Sequence, residues 1–211
     1  YFGHFPGELW AGKTWLEQNR IIASSPVVAT ELLAAIPGPF HLRYMKHSCM
    51  LADEYQEKDE TNYALLPEEY NFSFAKYLET FSGKSRKKLL QEVDKLKKTE
   101  ITFRFNHYPD IETMLKLNLQ AYSGTSYFND QRFRSAFIKL AAWLHKYELL
   151  RLTTVLSKGT VAAVDLGAVW QNTYTVLAGA TNPAFPGIAK LINLHHLEWA
   201  CCEKLDSVDF L

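Results

Sequence analysis

The sequence predicts an α/β (α+β) fold, a mixed β-sheet flanked by helices. Three short apolar runs, each bounded by Gly- or Asn-containing turns, are typical of antiparallel strands: Arg151–Leu156, Thr160–Val169 and Thr173–Ala180. A long apolar helix, Ile188–Leu205, follows them, and Val208–Leu211 is predicted as a last strand. A crossover helix that returns the chain to the same sheet makes a right-handed parallel unit. We therefore expect Val208–Leu211 to lie parallel to Thr173–Ala180.

The first 70 residues contain a shorter helix and strand. Ser25 is a good N-cap, Pro26 suits the first helical position, and together they predict a helix over Pro26–Ile36. Strands are predicted at Phe40–Met45 and Asn62–Leu66. This helix-then-strand order resembles part of the C-terminal unit and suggests an incomplete internal repeat.

The middle of the chain supplies the helices that flank the sheet. Apolar residues at helical spacing predict four helices here, and an alternating stretch, Glu100–Phe105, predicts one half-buried strand. The predicted helices are Phe72–Phe81, Lys84–Lys98, Pro109–Tyr122 and a last one from Asn129 or Asp130 to Tyr147. From Glu100 onward the order is strand, two helices, three antiparallel strands, helix, strand.

Composition excludes several functional classes. The chain has 211 residues, 47% of them hydrophobic, and its 23 Lys and Arg equal its 23 Asp and Glu. A neutral total is unlike proteins that coat nucleic acid, so no DNA partner is predicted. No apolar run approaches the ~20 residues needed to span a bilayer. Three cysteines without a C-x-x-C pair suit a reducing compartment, so a cytoplasmic location is expected.

The histidines and cysteines do not predict a metal centre. His195 and His196 are adjacent, as are Cys201 and Cys202, so each pair points in different directions on a helix. Helical metal pairs are normally spaced four residues apart. No metal site is therefore predicted.

The junction Thr181–Gly187 is a candidate ligand-binding loop. It contains two prolines and a glycine and opens the long helix. Helix N-termini attract phosphate, Pro186 fits a first turn, and Gly187 lets a ligand approach the backbone. The alternative is a junction that binds nothing, as most such junctions do.

The helix Lys84–Lys98 carries an unusual charge pattern. Lys84 and Arg86 lie in its first turn, where positive charge opposes the helix dipole. One interpretation is a seat for an anionic ligand. The other is a solvated basic face.

The element order resembles the GNAT superfamily of acyl-CoA N-acyltransferases. The K-x-R at a helix start (Lys84, Arg86), the strand VAAVDLGA, the P-G before the long helix (Pro186, Gly187) and the final D-F (Asp209, Phe210) are similar to its Fem-like branch. That branch includes tRNA-dependent aminoacyl transferases of peptidoglycan synthesis and proteins of polysaccharide systems. Members often carry tandem repeats. The resemblance therefore implies that residues 1–70 end a first, partial repeat and that residues 71–211 form an acyltransferase domain lacking its last strands.

The resemblance also implies a site between the two parallel strands. A backbone N–H near Leu177–Gly179 would polarise the acyl carbonyl, and the loop with Pro186, Gly187 and Lys190 would hold a phosphate, helped by Lys84 and Arg86. Asp165, Glu198 and Asp209 are the candidate bases, and Tyr127 and Tyr174 are candidate proton donors. Asp209 matches the family motif. The loop NPAFPGIAK departs from the family's Q/R-x-x-G-x-G/A pattern because it has a single glycine.

Three functional classes follow from this pattern. The first is an N-acyltransferase that moves an acetyl or aminoacyl group from acyl-CoA or aminoacyl-tRNA to an amine, with no permanently bound cofactor. The chain has no Ser-His-Asp set and no nucleophilic-cysteine context, so direct transfer without a covalent enzyme intermediate is predicted. The second is a catalytically silent GNAT-like module that binds a ligand or partner. The third is an RNA-binding protein, which the neutral charge disfavours.

Overall fold

The computed structural model describes residues 21–38 and 63–210. The chain divides into two compact units, Tyr1–Tyr63 with Leu211 and Ala64–Phe210. In the first unit the described helix is α1 (Pro26–Ala34), and the predicted strand Phe40–Met45 lies outside the described residues. The second unit contains the following elements: β1 (Ala64–Leu65), α2 (Phe74–Glu79), α3 (Gly83–Lys97), β2 (Ile101–Phe105), α4 (Asp110–Tyr122), α5 (Gln131–Lys146), β3 (Leu150–Ser157), β4 (Thr160–Trp170), β5 (Thr173–Thr181), α6 (Ile188–Cys202) and β6 (Ser207–Asp209).

The strands form one mixed sheet, as predicted. Its order is β1-β6-β5-β4-β3-β2, and every neighbouring pair is antiparallel except β5 and β6. The parallel pair aligns Thr173 with Ser207 and Thr175 with Asp209. This confirms the predicted crossover by the long helix. The segment 62–66, assigned from sequence to the first repeat, supplies the short edge strand β1 beside β6.

Tight turns set the register of the antiparallel strands. Lys158 and Gly159 have φ of 50° and 76°, and Gln171 and Asn172 have φ of 46° and 58°. Two successive positive φ values define the hairpin turns that match strand twist. The turn signals at these two positions therefore predict correctly the hairpins that join β3, β4 and β5.

Helices cover both faces of the sheet. Thr154 of β3 contacts Asp110 at the start of α4, while its neighbour Val155 packs against Ile188, Leu191 and Ile192 of α6. Because successive side chains of a strand point to opposite faces, α4 and α6 lie on opposite sides. The apolar residues under α6 form two clusters, one with α3 and one with β6.

Side-chain caps begin four of the described α-helices, and those of α1 and α5 lie at the predicted places. Ser25 caps α1, Ser82 accepts a hydrogen bond from the Ser85 N–H at 3.2 Å, and Asp130 accepts from Arg132 and Phe133 at the start of α5. The helix α6 differs: it begins after Gly187 in a left-handed conformation, with no side-chain cap. Among the described helices, none combines the length and the apolar character needed to cross a bilayer.

Candidate active site

The parallel strands β5 and β6 separate part-way along their length. They pair along Thr173–Thr175, after which β5 continues to Thr181 without β6 beside it. A bulge lies on the same stretch, since Leu166 pairs with Ala178 and Gly167 with Val176, which leaves Leu177 as the extra residue. We call the space beside residues 176–181 of β5 the β5–β6 gap.

The ladder to β4 decides which backbone groups of β5 face this gap. The Asn182 N–H donates to the Ala162 carbonyl at 2.8 Å. Hydrogen-bonded and non-hydrogen-bonded residues alternate along an antiparallel pair. Ala180 therefore also directs its N–H and C=O to β4, whereas Gly179 and Thr181 direct theirs towards the gap.

A series of hydrogen bonds that begins at α4 reaches Gly179 from the side of the gap. The Asn118 amide donates to the Gly179 carbonyl at 3.3 Å, and the Ser126 hydroxyl donates to the Asn118 carbonyl oxygen at 2.7 Å. Ser126 in turn accepts from the Phe128 N–H at 3.1 Å. Asn118 and Ser126 are buried. The loop between α4 and α5 is thus fixed to the edge of the gap. Sequence reasoning missed Asn118, and a polar residue on the buried face of a predicted helix was the available signal.

Asp165, one of the candidate bases, lies directly across from Gly179. It is 6% exposed, and its Oδ2 is 3.0 Å from the His196 Nε2. A Cβ added at Gly179 would stand 2.1 Å from Asp165 Oδ1. The carboxylate therefore occupies the space that a side chain at position 179 would fill, and it lies against the backbone that borders the gap. Sequence reasoning did not join His196 to this residue.

Tyr174 and Asp209 are also buried near the start of the gap. Burial raises the pKa of the Tyr174 hydroxyl far above its usual value, and the Asp165 charge adds to the shift, so this phenol stays neutral. Asp209 pairs with Thr175 of β5 and Ala64 of β1. The two other candidates lie nearer to solvent, since Glu198 is exposed and Tyr127 is 39% exposed.

Several polar groups in and after the loop Thr181–Gly187 already bond to other groups of the protein. The Asn182 side chain accepts from the Ala184 N–H at 3.0 Å and donates to the Val161 carbonyl. The Lys190 N–H donates to the Gly187 carbonyl at 3.0 Å, and its ammonium forms an ion pair with Glu92 of α3. The hydrogen bond from Lys190 lowers the pKa of the Glu92 carboxyl, and partial desolvation raises it. The hydrogen bond is the larger effect, so the pKa is lowered.

Lys84 and Arg86 lie at the far end of α3 from this loop. A Cβ at Gly187 would lie 3.7 Å from Leu96, near the C-terminal end of α3. With a rise of 1.5 Å per residue, Lys84 and Arg86 are roughly 15–18 Å along the helix from that contact. Lys84 is exposed and Arg86 half-buried, and the ion pairs among the described residues involve other side chains. The structure does not bring these two charges to the loop.

A second polar cluster supports the other face of the sheet. The Asp110 carboxylate accepts from Arg104 at 2.6 and 3.0 Å and from the Thr154 hydroxyl at 2.5 Å. Burial alone would raise the pKa of Asp110, but these bonds and one with His107 outweigh it and lower the pKa. Within the described residues, no three His, Cys, Asp or Glu side chains are arranged to hold a metal ion.

A comparison with protein families identifies the domain that contains most of this sheet. The family described as "Acetyltransferase (GNAT) domain" matches residues 83–211. The chain belongs to this family. The GNAT domain therefore covers α3 to β6, and the predicted superfamily and fold are confirmed.

Solved structures resemble the GNAT domain in fold. A conserved protein of unknown function from Bacteroides thetaiotaomicron is 14% identical, with a TM-score of 0.51, and the match covers 71% of this chain and 49% of that one. L-PGS from Bacillus licheniformis is 14% identical over 63% of this chain and 42% of its own, with a TM-score of 0.42. The chain thus spans less than half of each of these two proteins.

A third structure is that of the PaiA N-acetyltransferase from Thermoplasma acidophilum in complex with coenzyme A. It is 12% identical over 50% of this chain and 75% of its own, with a TM-score of 0.38. No curated protein sequence matches the chain significantly.

Proposed function

We propose that the GNAT domain transfers an acyl group from acyl-CoA directly to an amine, without a covalent enzyme intermediate. The β5–β6 gap carries this proposal. Its wall directs the Gly179 N–H and the backbone groups of Thr181 away from β4, and it stands beside the buried Asp165, while the Gly179 carbonyl already accepts from Asn118. The pantetheine arm of coenzyme A contains amides, and an extended chain with amides can pair with an exposed strand edge.

Asp165 is the general base in this proposal. The acceptor must lose a proton before its nitrogen attacks the carbonyl carbon, and Asp165 takes that proton. The C–N bond forms, the C–S bond breaks, and the leaving thiolate of coenzyme A takes up a proton. The His196 ring holds the carboxylate through the 3.0 Å contact to its Oδ2, which leaves Oδ1 beside Gly179. Tyr174 remains the candidate proton donor for the thiolate because its hydroxyl keeps its proton, although its raised pKa makes it a weak acid. Asp209 is the second candidate base.

The backbone of β5 supplies the electrophilic contribution. A strand bulge changes the direction of backbone groups locally. The bulge at Leu177 lies where the family resemblance implies an N–H donor to the thioester oxygen, between Leu177 and Gly179. Such a donor stabilises the negative charge that develops on the oxygen.

The phosphates of the donor would lie at the start of α6, near Pro186 and Gly187. Gly187 adopts φ of 87°, a conformation that glycine tolerates, and opens α6 without a capping side chain. Lys190 would have to leave Glu92 to assist there. Lys84 and Arg86 are proposed instead to contact a more distant anionic part of a larger donor, such as the phosphates of an aminoacyl-tRNA.

A thiol-release assay tests this function. Purified protein is incubated with acetyl-CoA and a panel of primary amines. Asp165→Asn should lower kcat about 10²–10⁴-fold if the carboxylate is the base, with acetyl-CoA affinity unchanged. The kcat values of Asp209→Asn and Tyr174→Phe show how much the second candidate base and the candidate proton donor contribute. Asp94→Asn, on the exposed face of α3, is the matched control and should retain full activity.

The assay also separates the donors. Full activity of Asp165→Asn would remove this residue from the mechanism. Absence of thiol release by the wild type with every amine, together with transfer from an aminoacyl-tRNA, would replace acyl-CoA by that donor.

A catalytically silent GNAT module is the second candidate. The internal bonds of Asn182 and the Lys190–Glu92 ion pair favour it, because they occupy groups that a phosphate would use. In that case acetyl-CoA would neither bind nor react, although the fold would be unchanged.

The finer assignment rests on the motifs of the sequence. We propose membership of the Fem-like branch, a cytoplasmic bacterial protein of cell-wall or polysaccharide metabolism, and a partial first repeat in residues 1–70. The support is the K-x-R at the start of α3, the P-G before α6 and the D-F at the end of β6. A longer sequence containing a second complete repeat would support the tandem arrangement.

A further inference from the structure

The buried face under α6 contains an unusual set of polar atoms. In the described part of the chain, five buried side-chain atoms have no hydrogen-bond partner within the protein. They are Arg151 Nε, Thr153 Oγ1, Tyr174 Oη, His195 Nε2 and His196 Nδ1. Native proteins pair nearly all buried polar groups, so each exception calls for an explanation.

The sheet register brings two of the five residues to one face. Thr153 pairs with Phe105 on one side and with Asp165 on the other, and Arg151 pairs with Gly167. Directly paired residues point to the same face of a sheet. Thr153 and Arg151 therefore lie on the face that carries Asp165, whose carboxylate contacts His196 of α6.

Ring contacts connect the remaining atoms to this place. The Tyr174 ring lies 5.0 Å from the His196 ring and 5.4 Å from Trp199, and the His195 ring lies 5.9 Å from His196. The Arg151 guanidinium stacks on Trp199 at 3.3 Å. The five residues are thus connected by neighbouring contacts between the sheet and α6, through Asp165, His196 and Trp199.

The charges of the cluster suit a neutral ligand. Asp165 and Arg151 have opposite charges. Burial, followed by the effects of His196 and Arg151, lowers the pKa of His195 to about 4, so this ring is uncharged at neutral pH. Hydroxyls, a guanidinium and imidazoles together offer both donors and acceptors, which is what water requires. Five unpaired polar groups would offset much of the stability of a domain if they stayed dry.

We propose that α6 and the sheet enclose an internal hydration site in which ordered water binds Thr153, Tyr174, His195, His196 and Arg151. A buried water typically makes about three hydrogen bonds, so about two waters satisfy these atoms. The site lies next to Asp165, between the sheet and α6. Water there holds the Asp165–His196 pair in place whether or not the domain is an enzyme.

The site is tested by whether removing either of two hydroxyl groups raises or lowers Tm. Thr153→Val and Tyr174→Phe keep the shape of each side chain. If water binds the hydroxyls, each variant removes a satisfied hydrogen bond and should lower Tm by roughly 2–5 °C. If the site is dry, each removes an unpaired buried group and should raise Tm instead. A raised Tm in both variants would overturn the proposal.

Matched variants calibrate the measurement. Thr102→Val and Tyr122→Phe are exposed and report the baseline effect of each replacement. Thr154→Val removes a hydroxyl whose hydrogen bond to Asp110 is established and gives the expected sign for a satisfied group.

A direct observation completes the test. A crystal structure of the wild-type chain at high resolution should show water within hydrogen-bond distance of Thr153 Oγ1 and Tyr174 Oη. Clear density without water, or density for an ion at these atoms, would reject the hydration site. Neither measurement depends on acyl transfer, so the hydration site can be tested even if the proposed function is wrong.

Discussion

At the scale of single residues, Gly179 links the strand edge to the buried carboxylate. It borders the β5–β6 gap, its carbonyl accepts from Asn118, and the Asp165 side chain occupies the space above its Cα. Asp165 cannot move away at little cost, because its other oxygen contacts His196 and it is buried. The absence of a side chain at position 179 is therefore required by packing, although the backbone angle is ordinary for any residue.

The first prediction concerns this glycine. Gly179→Ala places a Cβ 2.1 Å from Asp165 Oδ1, so the carboxylate must rotate and leave His196. We expect a loss of about 1–3 kcal/mol in the free energy of unfolding, the usual cost of overpacking. Urea unfolding measures it. Gly124→Ala is the control, since nothing lies within 4 Å of its added Cβ. Equal stabilities of the two variants would contradict the packing argument.

At the scale of elements, α4 begins at a buried carboxylate that ties it to the sheet. Asp110 joins the helix N-terminus to Arg104 of β2 and Thr154 of β3. Asp110 and Glu112 both lie in the first turn of α4, where a negative charge interacts favourably with the helix dipole. Only Asp110 is directed into the sheet, while Glu112 is exposed.

The second prediction separates these two acidic residues. Asp110→Asn removes charge-assisted hydrogen bonds from a buried site, so we expect a loss of about 2–3 kcal/mol of stability. This corresponds to a fall of roughly 4–12 °C in Tm for a domain of this size. Glu112→Gln should change stability by at most ~0.5 kcal/mol. A similar, small effect of both replacements would show that the Arg104–Asp110 contact contributes little.

The third prediction concerns the packing of α6 on β2. The His195 ring stacks on Phe103 at 4.3 Å, and its pKa is lowered from 6.5 to about 4, first by burial and then by His196 and Arg151. The unfolded chain therefore binds a proton between pH 6.5 and about 4 that the folded chain does not. Stability is fully present above pH 6.5 and falls as the pH decreases through this window.

Thermal unfolding at pH 7, 6 and 5 measures this dependence. His195→Phe keeps an aromatic ring without a titrating group, and its Tm should decrease less steeply than that of the wild type. His145→Gln, on the exposed side of α5, should keep the wild-type slope. An unchanged slope in His195→Phe would assign the pH dependence to other groups.

At the scale of the whole molecule, the GNAT domain combines a divided parallel pair with helices on both faces. The gap opens because β6 pairs with only the first residues of β5, while β4 continues to pair with β5 to its end. A ligand that fills the gap would complete the sheet and connect β5 with the start of α6. Such a ligand should therefore stabilise the domain as a unit.

The fourth prediction is a shift of Tm by the donor. At 100 times its dissociation constant a ligand adds ~2.7 kcal/mol, which is roughly 5–10 °C in Tm for a domain of this size. We expect this shift with acetyl-CoA. A titration to millimolar concentration without a shift would count against acyl-CoA as the donor.

The fifth prediction uses the double variant Lys84→Gln/Arg86→Gln. Its Tm should stay unchanged or rise, by at most ~0.5 kcal/mol per site, because the helix dipole disfavours both charges. Acetyl-CoA affinity should also stay unchanged, since α3 separates these residues from the loop before α6. A loss of ~1–3 kcal/mol for each lost charge-assisted bond would place them in the acyl-CoA site. If the double variant bound acetyl-CoA normally but bound aminoacyl-tRNA more weakly than the wild type, the result would support the larger donor.

The sequence by itself determined the order and type of the helices and strands from α2 to β6 and the parallel arrangement of β5 and β6. These features depend on local periodicity, on caps such as Asp130 and on turns such as Lys158–Gly159, which act over a few residues. It also identified Asp165, Gly179, Gly187 and Tyr174 as candidates. Only the tertiary structure joined Asp165 to His196, Asn118 to Gly179 and Lys190 to Glu92, because these partners are separated by 31, 61 and 98 residues. Such contacts depend on strand register and helix packing, which bring together side chains that no local pattern relates.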